Sequence, residues 1–168
     1  MDELHLDELH LGELHLGEFG LDEQLLDPFD LQHCMLCPRS CGVDRLSDER
    51  GFCNEGSEIQ AARAALHFYE EPCISGTRGS GAVFFSGCNL RCVFCQNREI
   101  STGRAQKPLR AEQLSDIFLR LQEEGAHNIN LVTAIHFLPQ VITALHLAKA
   151  QGLGIPIVYN TSGYETVE

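Results

Sequence analysis

The sequence has no apolar run long enough to cross a membrane, and it does not begin like a secretory signal. Hydrophobic residues make up 43% of the 168 residues, but none of their runs approaches the roughly 20 residues that span a bilayer. The first residues are acidic, whereas a secretory signal needs a basic start followed by an apolar stretch. We therefore expect a cytoplasmic protein without a membrane partner.

Basic residues are scarce, and the start of the chain has none. The net charge is −12, from 24 acidic and 12 basic side chains. Residues 1–33 hold ten of the acidic residues and no Lys or Arg, which leaves the other 135 residues with fourteen acidic and twelve basic side chains. Neither part offers a basic stripe, so nucleic acid is not an expected partner.

A nucleotide-binding phosphate loop is also missing. Residues 74–81 read ISGTRGSG, which is rich in glycine but lacks the Lys-Ser/Thr pair of a Walker loop. Binding of nucleoside triphosphates is therefore not expected. Because glycine tolerates unusual backbone conformations, we predict a flexible turn here, close to the cysteine loop described below.

Residues 2–26 form an imperfect five-residue repeat that begins DELHL-DELHL-GELHL. A five-residue step advances an α-helix by about 140° beyond a full turn, so equivalent residues spiral around it and make no single stripe. We predict that residues 1–28 are an acidic low-complexity extension of little fixed structure. The alternative is a metal-binding tract formed by His5, His10 and His15.

Eight cysteines are present, and all but Cys73 fall into two tight groups. Without a secretory signal, such groups indicate metal ligands in a reducing compartment rather than disulfides. The second group is Cys88, Cys92 and Cys95, spaced C-x3-C-x2-C directly after the apolar run 82–85. A 4Fe–4S cluster normally takes four thiolates, so three leave one iron open for another ligand. A three-cysteine zinc loop is the alternative.

The first group has the spacing C-x2-C-x3-C-x11-C and consists of Cys34, Cys37, Cys41 and Cys53. Four thiolates can close a metal site completely. We predict that residues 29–57 form a small cysteine-rich module that holds an auxiliary iron–sulfur cluster or a structural zinc. The alternative is a module whose thiols are reduced and merely buried.

From residue 82 onward the pattern alternates between strands and helices. Short apolar runs at 82–85, 129–133 and 155–159 predict three strands. Helical spacing of apolar residues predicts a helix over about 110–124, and Pro139 fits the first turn of another. This order is typical of a parallel sheet with right-handed crossovers.

Other stretches of the body are ambiguous or polar. Residues 59–68, IQAARAALHF, fit a helix by alanine content or a strand entering the sheet. Polar stretches at 86–97, 134–136 and 160–164 follow the three predicted strands. Because chemistry collects at the carboxyl ends of parallel strands, we expect these stretches to lie side by side.

The cysteine loop also resembles a known family. Its pattern C-x3-C-x-(aromatic)-C, with Phe94 as the aromatic residue, is similar to the signature loop of the radical S-adenosylmethionine (radical SAM) enzymes. Its flanking residues resemble those of the branch similar to pyruvate formate-lyase activating enzyme. The resemblance implies a 4Fe–4S cluster on Cys88, Cys92 and Cys95 with S-adenosylmethionine on the open iron.

The resemblance further implies an activity and partners. An electron from the cluster cleaves S-adenosylmethionine reductively, and the resulting 5′-deoxyadenosyl radical abstracts hydrogen from a substrate, which is an oxidoreductase reaction. The electron comes from a donor such as a flavodoxin or ferredoxin. In the activating-enzyme branch the substrate is a protein, the backbone of a glycyl-radical enzyme.

The resemblance also assigns cofactor-binding residues. It places the adenine beside Phe94 and brings the third-strand turn, with Asn160 and Ser162, toward the cofactor. Residues 133–136 keep the first Thr and the His of a Thr-Pro-Thr-His-like stretch in that branch, which makes His136 a further candidate. The alternatives are an ordinary loop histidine and turn-capping roles for the other two.

Radical SAM cores usually have six β/α units in a partial barrel. We therefore expect residues 58–168 to be the first three units of an incomplete parallel β/α, partial TIM-like barrel, preceded by the cysteine-rich module, as in an N-terminal fragment of such a protein. The rival function is a non-catalytic fragment that binds zinc or an iron–sulfur cluster. A third is a histidine-rich protein that sequesters metal through residues 1–26.

Overall fold

The computed structural model describes residues 30–166, and a mixed sheet of five strands organises them. The strands are β1 (Ile59–His67), β2 (Ser80–Phe85), β3 (Lys107–Leu109), β4 (Ile129–Val132) and β5 (Ile157–Asn160). Their order across the sheet is β3-β1-β2-β4-β5. The helices are α1 (Pro72–Ser75), α2 (Arg98–Ser101), α3 (Ala111–Glu123) and α4 (Leu138–Ala150). The prediction for residues 1–28 lies outside the described residues.

The second half of the sheet is parallel, as predicted. Val83 of β2 pairs with Leu131 of β4, which pairs in turn with Tyr159 of β5. Helix α3 lies in the connection from β2 to β4, and α4 lies in the connection from β4 to β5. The predicted β-α-β-α-β order is confirmed, with each element within a few residues of its predicted range.

Helix α3 forms because its apolar residues repeat at helical spacing and face the sheet. Its buried apolar residues are Leu114, Ile117, Phe118 and Leu121. At its start, the backbone N–H of Arg110 donates to Oε1 of Gln113 at 2.8 Å, which satisfies one donor that a helix start leaves unpaired. Gly125, with a positive φ of 92°, follows the end of the helix.

The first half of the sheet is antiparallel, which the sequence did not predict. Ala64 of β1 pairs with Val83 of β2, and Gln60 of β1 pairs with Pro108 of β3. The prediction of a parallel sheet concerned the three strands from residue 82 onward, and β1 and β3 add an antiparallel half to it. The ambiguous stretch is a strand because its buried residues Ile59 and Ala61 alternate with partly exposed ones, which suits a pleated ribbon rather than a helix.

The glycine-rich stretch 74–81 lies at the opposite edge of the sheet from the cysteine loop. The backbone N–H groups of Thr77 and Arg78 donate to Nε2 of His127 at 3.3 Å, just before β4 begins. The stretch therefore sits at the amino ends of the strands, whereas the cysteine loop follows the carboxyl end of β2. A six-residue strand spans about 20 Å. The prediction that this stretch lies close to the cysteine loop is wrong.

The cysteine-rich residues before β1 are mostly loops, with one 3-10 turn at Arg45–Ser47. They pack on the carboxyl edge of the sheet, where Nη1 of Arg45 donates to the carbonyl of His136 at 2.6 Å. The division into a module at 29–57 and a core at 58–168 stays a prediction. Among the described helices, none is both long and apolar enough to span a bilayer.

Candidate functional site

Three polar strand ends meet at the carboxyl edge of the parallel strands. Nε2 of His136, after β4, is 2.6 Å from the carbonyl oxygen of Ser86, after β2. Nδ2 of Asn89, in the cysteine loop, donates to the carbonyl of Tyr164, after β5, at 2.8 Å. Hydrogen bonds therefore join the end of β2 to the ends of β4 and β5, and the three stretches lie side by side as expected.

The loop after β2 carries three free thiols, those of Cys88, Cys92 and Cys95. The N–H of Cys95 donates to the carbonyl of Cys92 at 3.1 Å, which closes a tight turn. The N–H of Leu90 donates to Sγ of Cys88 at 3.3 Å. Cys92 is exposed and the other two are half-buried. This donor set fits a 4Fe–4S cluster with one open iron.

Phe94 stands at the tip of this loop and faces solvent. Its side chain is 86% exposed, and that of its neighbour Val93 is 88% exposed. Two exposed apolar side chains beside the thiols could pack on a planar ring such as adenine. The adenine-binding role of Phe94 stays a prediction.

His136 is buried and already bonded to the protein. It is 2% exposed, its Nε2 contacts Ser86, and its Nδ1 has no hydrogen-bond partner among the described residues. Burial lowers the pKa of His136 to about 4, and the nearby Arg45 charge adds to this shift. The imidazole is therefore neutral at pH 7. The cofactor-binding role of His136 stays a prediction.

Asn160 and Ser162 lie at the carboxyl end of β5. Asn160 is the half-buried last residue of that strand, and Ser162 is exposed in the turn that follows. The hydrogen bonds that shape the turn come from Thr161 instead, whose hydroxyl accepts from the N–H of Gly163 at 2.9 Å and donates to Glu165. The side chains of Asn160 and Ser162 are thus not needed for these turn contacts, and their cofactor role stays a prediction.

The first cysteine group gathers around one cavity at the same edge of the sheet. All four thiols are free and line that cavity: Cys34, Cys37, Cys41 and Cys53. Burial raises the pKa of Cys37 and of Cys53. Within residues 30–166, no three His, Cys, Asp or Glu side chains form a site that could hold one metal ion as they stand.

A model of the radical SAM superfamily matches residues 82–168, just over half of the chain, beginning within β2 and including the three-thiol loop. The chain belongs to the radical SAM superfamily. The family implies a 4Fe–4S cluster, bound S-adenosylmethionine and an electron donor, and hence S-adenosylmethionine-dependent radical chemistry.

One curated relative is itself uncharacterised. An uncharacterised protein of Methanocaldococcus jannaschii is 33% identical over 147 residues, which cover 82% of this chain and 40% of the relative. The chain therefore spans less than half the length of that protein. No solved structure matches the chain.

The radical SAM loop rests on a buried carboxyl that the sequence did not single out. Glu55 is fully buried, and neither of its oxygens has a hydrogen-bond partner among the described residues. Burial raises the pKa of Glu55 to about 7, although nearby arginines oppose this shift. A Cβ on Gly87 would lie 2.5 Å from Cγ of Glu55. In the sequence, only the glycine directly before Cys88 indicated that another residue approaches the loop this closely.

Asn89 connects the two cysteine groups, and it was also missed. It is 1% exposed, and its carbonyl accepts from Nε of Arg39 at 2.9 Å. Its side chain also reaches the thiol of Cys37, where it lowers the pKa against the larger effect of burial. Asn89 follows Cys88 directly in the chain, so it is one point at which the cysteine-rich residues contact the radical SAM loop.

Asn130 is a third residue that sequence reasoning passed over. It lies in β4, is fully buried, and neither atom of its amide has a hydrogen-bond partner among the described residues. Burying an unpaired amide costs roughly 1–3 kcal/mol. Asn130 is the one polar residue inside the apolar run INLV, and this could have indicated that it does more than pack in the core.

The chain is expected to lose stability in mild acid through His136. Its folded-state pKa of about 4 lies below the ordinary 6.5, so below pH 6.5 the unfolded chain binds a proton that the folded chain does not. Stability is then complete above about pH 6.5 and falls as the pH drops toward 4, by roughly 2 kcal/mol at pH 5. Urea unfolding of the wild type and of His136→Gln at pH 7 and pH 5 measures this.

Between pH 7 and pH 5, the His136→Gln variant should lose roughly 2 kcal/mol less of its free energy of unfolding than the wild type does. His146→Gln is the matched control, because His146 is exposed on α4, and it should keep the wild-type pH dependence. If His136→Gln keeps the wild-type pH dependence, the lowered pKa of His136 is not the cause of the loss in acid.

Proposed function

We propose that this chain carries the radical-generating site of an enzyme in the branch similar to pyruvate formate-lyase activating enzyme. The single observation that carries the proposal is the loop with Cys88, Cys92 and Cys95 at the carboxyl end of β2, joined by hydrogen bonds to the ends of β4 and β5. The parallel strands with α3 and α4 would then be the first three units of a partial β/α barrel.

Some residues of the chain would bind the cluster, and others would position S-adenosylmethionine. Cys88, Cys92 and Cys95 would hold three irons and leave the fourth for the amino and carboxyl groups of S-adenosylmethionine. Phe94 would cover the adenine. When bound, the cluster supplies one electron that splits S-adenosylmethionine into methionine and a 5′-deoxyadenosyl radical.

The neighbouring strand ends would complete the cofactor site. Asn160 ends β5 and Ser162 lies in the turn after it, within the region that Asn89 joins to the cysteine loop by its hydrogen bond to Tyr164. The buried ring of His136 would act on the cofactor through Ser86, by fixing the end of β2.

The substrate and the donor follow from the branch. We place a protein backbone, the glycine of a glycyl-radical enzyme, as the substrate from which hydrogen is abstracted. A flavodoxin or ferredoxin would supply the electron. The support is Thr133 and His136 at the second strand end, together with the polar turn after the third. The free thiols of the described residues support a reducing, cytoplasmic compartment.

The test is whether the chain cleaves S-adenosylmethionine. After anaerobic loading with iron and sulfide, and with dithionite as reductant, we expect 5′-deoxyadenosine and methionine in equal amounts by liquid chromatography and mass spectrometry. Omitting either dithionite or the iron should abolish both products.

The rival function is a non-catalytic metal-binding protein. It predicts that the chain binds iron or zinc through the same cysteines but forms no 5′-deoxyadenosine under reduction. That result would overturn the proposed activity and leave the metal site standing.

A further inference from the structure

Exposed apolar side chains are concentrated in the two cysteine-bearing segments, residues 34–53 and 87–97. Among residues 30–166, eight large hydrophobic side chains are exposed, and five of them belong to these segments: Met35, Leu46, Phe52, Val93 and Phe94. Single exposed apolar residues are ordinary, whereas several in one region are typical of an interaction site. The carboxyl edge of the sheet, where both segments lie, is therefore a candidate surface for a partner.

Two arginines share the ring of Phe52 at this edge. The guanidinium carbon of Arg39 lies 3.8 Å from the centre of that ring, and the guanidinium carbon of Arg91 lies 5.4 Å from it. Arg39 also lies 5.3 Å from the ring of Tyr164, and its Nε donates to the carbonyl of Asn89. Contacts with aromatic rings help to hold guanidinium groups in place. Arginine and aromatic side chains are the types enriched at the centres of protein interfaces.

Nearby carboxylates do not neutralise these two arginines. Arg39 is exposed and Arg91 is half-exposed, and neither forms an ion pair with a carboxylate of residues 30–166. The carboxyl that is influenced by the Arg91 charge is that of Glu55, which is fully buried. The same carboxyl also faces the charges of Arg45 and Arg50. One buried carboxyl cannot balance all of these arginines, so positive charge remains at the surface.

The chain around the radical SAM loop is basic, although the protein as a whole is acidic. Residues 86–110 hold five basic residues and one acidic residue, whereas the other residues from 34 onward hold seven basic and thirteen acidic ones. Helix α2 belongs to this segment and lies beside the loop, because the N–H of Gly87 donates to the carbonyl of Ile100 at 2.9 Å. Charges are screened beyond about 8 Å at physiological salt. A docked partner therefore responds to this local positive charge more than to the net charge.

The two arginines also lie next to the thiols that an electron must reach. Arg91 directly precedes Cys92, whose thiol is exposed. Asn89, whose carbonyl accepts from Arg39, directly follows Cys88. A carrier that contacts both arginines would bring its redox group to the exposed side of the loop. The radical SAM family implies an electron donor, and electron-transfer complexes are small and short-lived, so charge steering has a large part in forming them.

We propose that Arg39, Phe52 and Arg91 form the docking surface for an acidic one-electron carrier protein. Surface carboxylates of the reduced carrier pair with the two guanidinium groups, and the carrier is oxidised by one electron as the cluster on the loop is reduced by one. A positive surface speeds the encounter with an acidic partner and disfavours basic ones. The inference rests on the proposed function, because the carrier has an electron acceptor only if the loop holds its cluster.

The test compares a protein donor with a small one. An acidic flavodoxin, kept reduced by flavodoxin reductase and NADPH, should drive 5′-deoxyadenosine formation by the iron-loaded full chain. Arg39→Gln/Arg91→Gln should raise the flavodoxin concentration that gives half the maximal rate by about tenfold. With dithionite, which needs no docking surface, this variant should keep the wild-type rate and iron content. Arg39→Lys/Arg91→Lys keeps both charges and should stay close to the wild type with either donor.

Arg78→Gln/Lys149→Gln is the matched control, because it removes two exposed charges at the opposite, amino edge of the sheet. It should leave the half-maximal flavodoxin concentration unchanged. Calorimetric titration with oxidised flavodoxin measures docking without turnover, and the Arg39→Gln/Arg91→Gln variant should bind about tenfold more weakly than the wild type.

Two results would overturn the docking surface. One is a wild type that binds neither this flavodoxin nor an acidic ferredoxin, and the other is an equal affinity for flavodoxin in the wild type and in Arg39→Gln/Arg91→Gln. Weaker binding by that variant, together with no cleavage of S-adenosylmethionine by the wild type under dithionite, would uphold the surface and refute the proposed function.

Discussion

Replacing Cys88, Cys92 or Cys95 singly by alanine is expected to abolish the formation of 5′-deoxyadenosine from S-adenosylmethionine. The three thiols are the complete protein donor set on the loop after β2, and two thiolates cannot hold a 4Fe–4S cluster that keeps only one iron open. The rate should fall to that of a sample without protein. Product formation under dithionite, with bound iron measured in the same samples, checks this.

The exposed Cys73 provides the matched control for these substitutions. It lies in α1, outside both cysteine groups, so Cys73→Ala should retain the wild-type rate and iron content. A loop variant that kept both the iron and the rate would mean that the reactive cluster has other ligands, and the site would have to be reassigned.

Replacing Gly87 by alanine is expected to destabilise the chain by roughly 2–5 kcal/mol, from a strained backbone and an overpacked site. Gly87 has a φ of +76°, which side chains with a Cβ rarely adopt. The added Cβ would also lie 2.5 Å from Cγ of Glu55 and 2.9 Å from the carbonyl oxygen of Cys53. Glu55 is fully buried, so it has little room to move away. Urea unfolding of the metal-free chain measures the loss.

Gly163→Ala separates the two causes. Gly163 has a nearly identical φ of +74° but has no heavy atom within 4 Å of the added Cβ, so it should lose only the backbone part, roughly 1–2 kcal/mol. Removing the obstacle in Gly87→Ala/Glu55→Ala should recover part of the excess, as a double-mutant cycle measures. Equal losses for the two glycine variants would show that Glu55 does not support the loop.

The parallel half of the fold could be predicted because its signals are local. The apolar runs that became β2 and β4 are continuous and short, and the helix between them repeats its apolar residues at helical spacing. Pro139 marked the start of α4 within one residue. Each of these patterns lies within one element and needs no partner to be recognised.

The antiparallel half could not be predicted, since its strands are defined by pairing. β3 has three residues, one of which is Pro108, and prolines are depleted in strands. It is a strand because Ile59 of β1 pairs with Leu109. The position of the glycine-rich stretch was wrong for another reason. Its composition predicted a turn correctly, but the stretch precedes β2 and the cysteine loop follows it, so the length of that strand separates them.

The same division holds within the site. Cysteine spacing marked both groups, because ligands of one metal centre recur within a few residues. The supporting residues Glu55, Asn89 and Arg45 carry no such spacing, and each is buried only because the cysteine-rich residues pack on the carboxyl edge. Burial of a charged or amide group is a property of the tertiary structure. Apart from Gly87, which indicated the close approach of Glu55, no local pattern identified these three residues.

The most direct test of the radical SAM site is the EPR spectrum of the dithionite-reduced, iron-loaded chain with and without S-adenosylmethionine. Binding to an open iron changes the electronic environment of that cluster, so S-adenosylmethionine should shift the g-values in the wild type. The shift should vanish in the Cys88→Ala/Cys92→Ala/Cys95→Ala variant. A wild-type spectrum that stays unchanged at saturating S-adenosylmethionine would contradict an open iron on this loop.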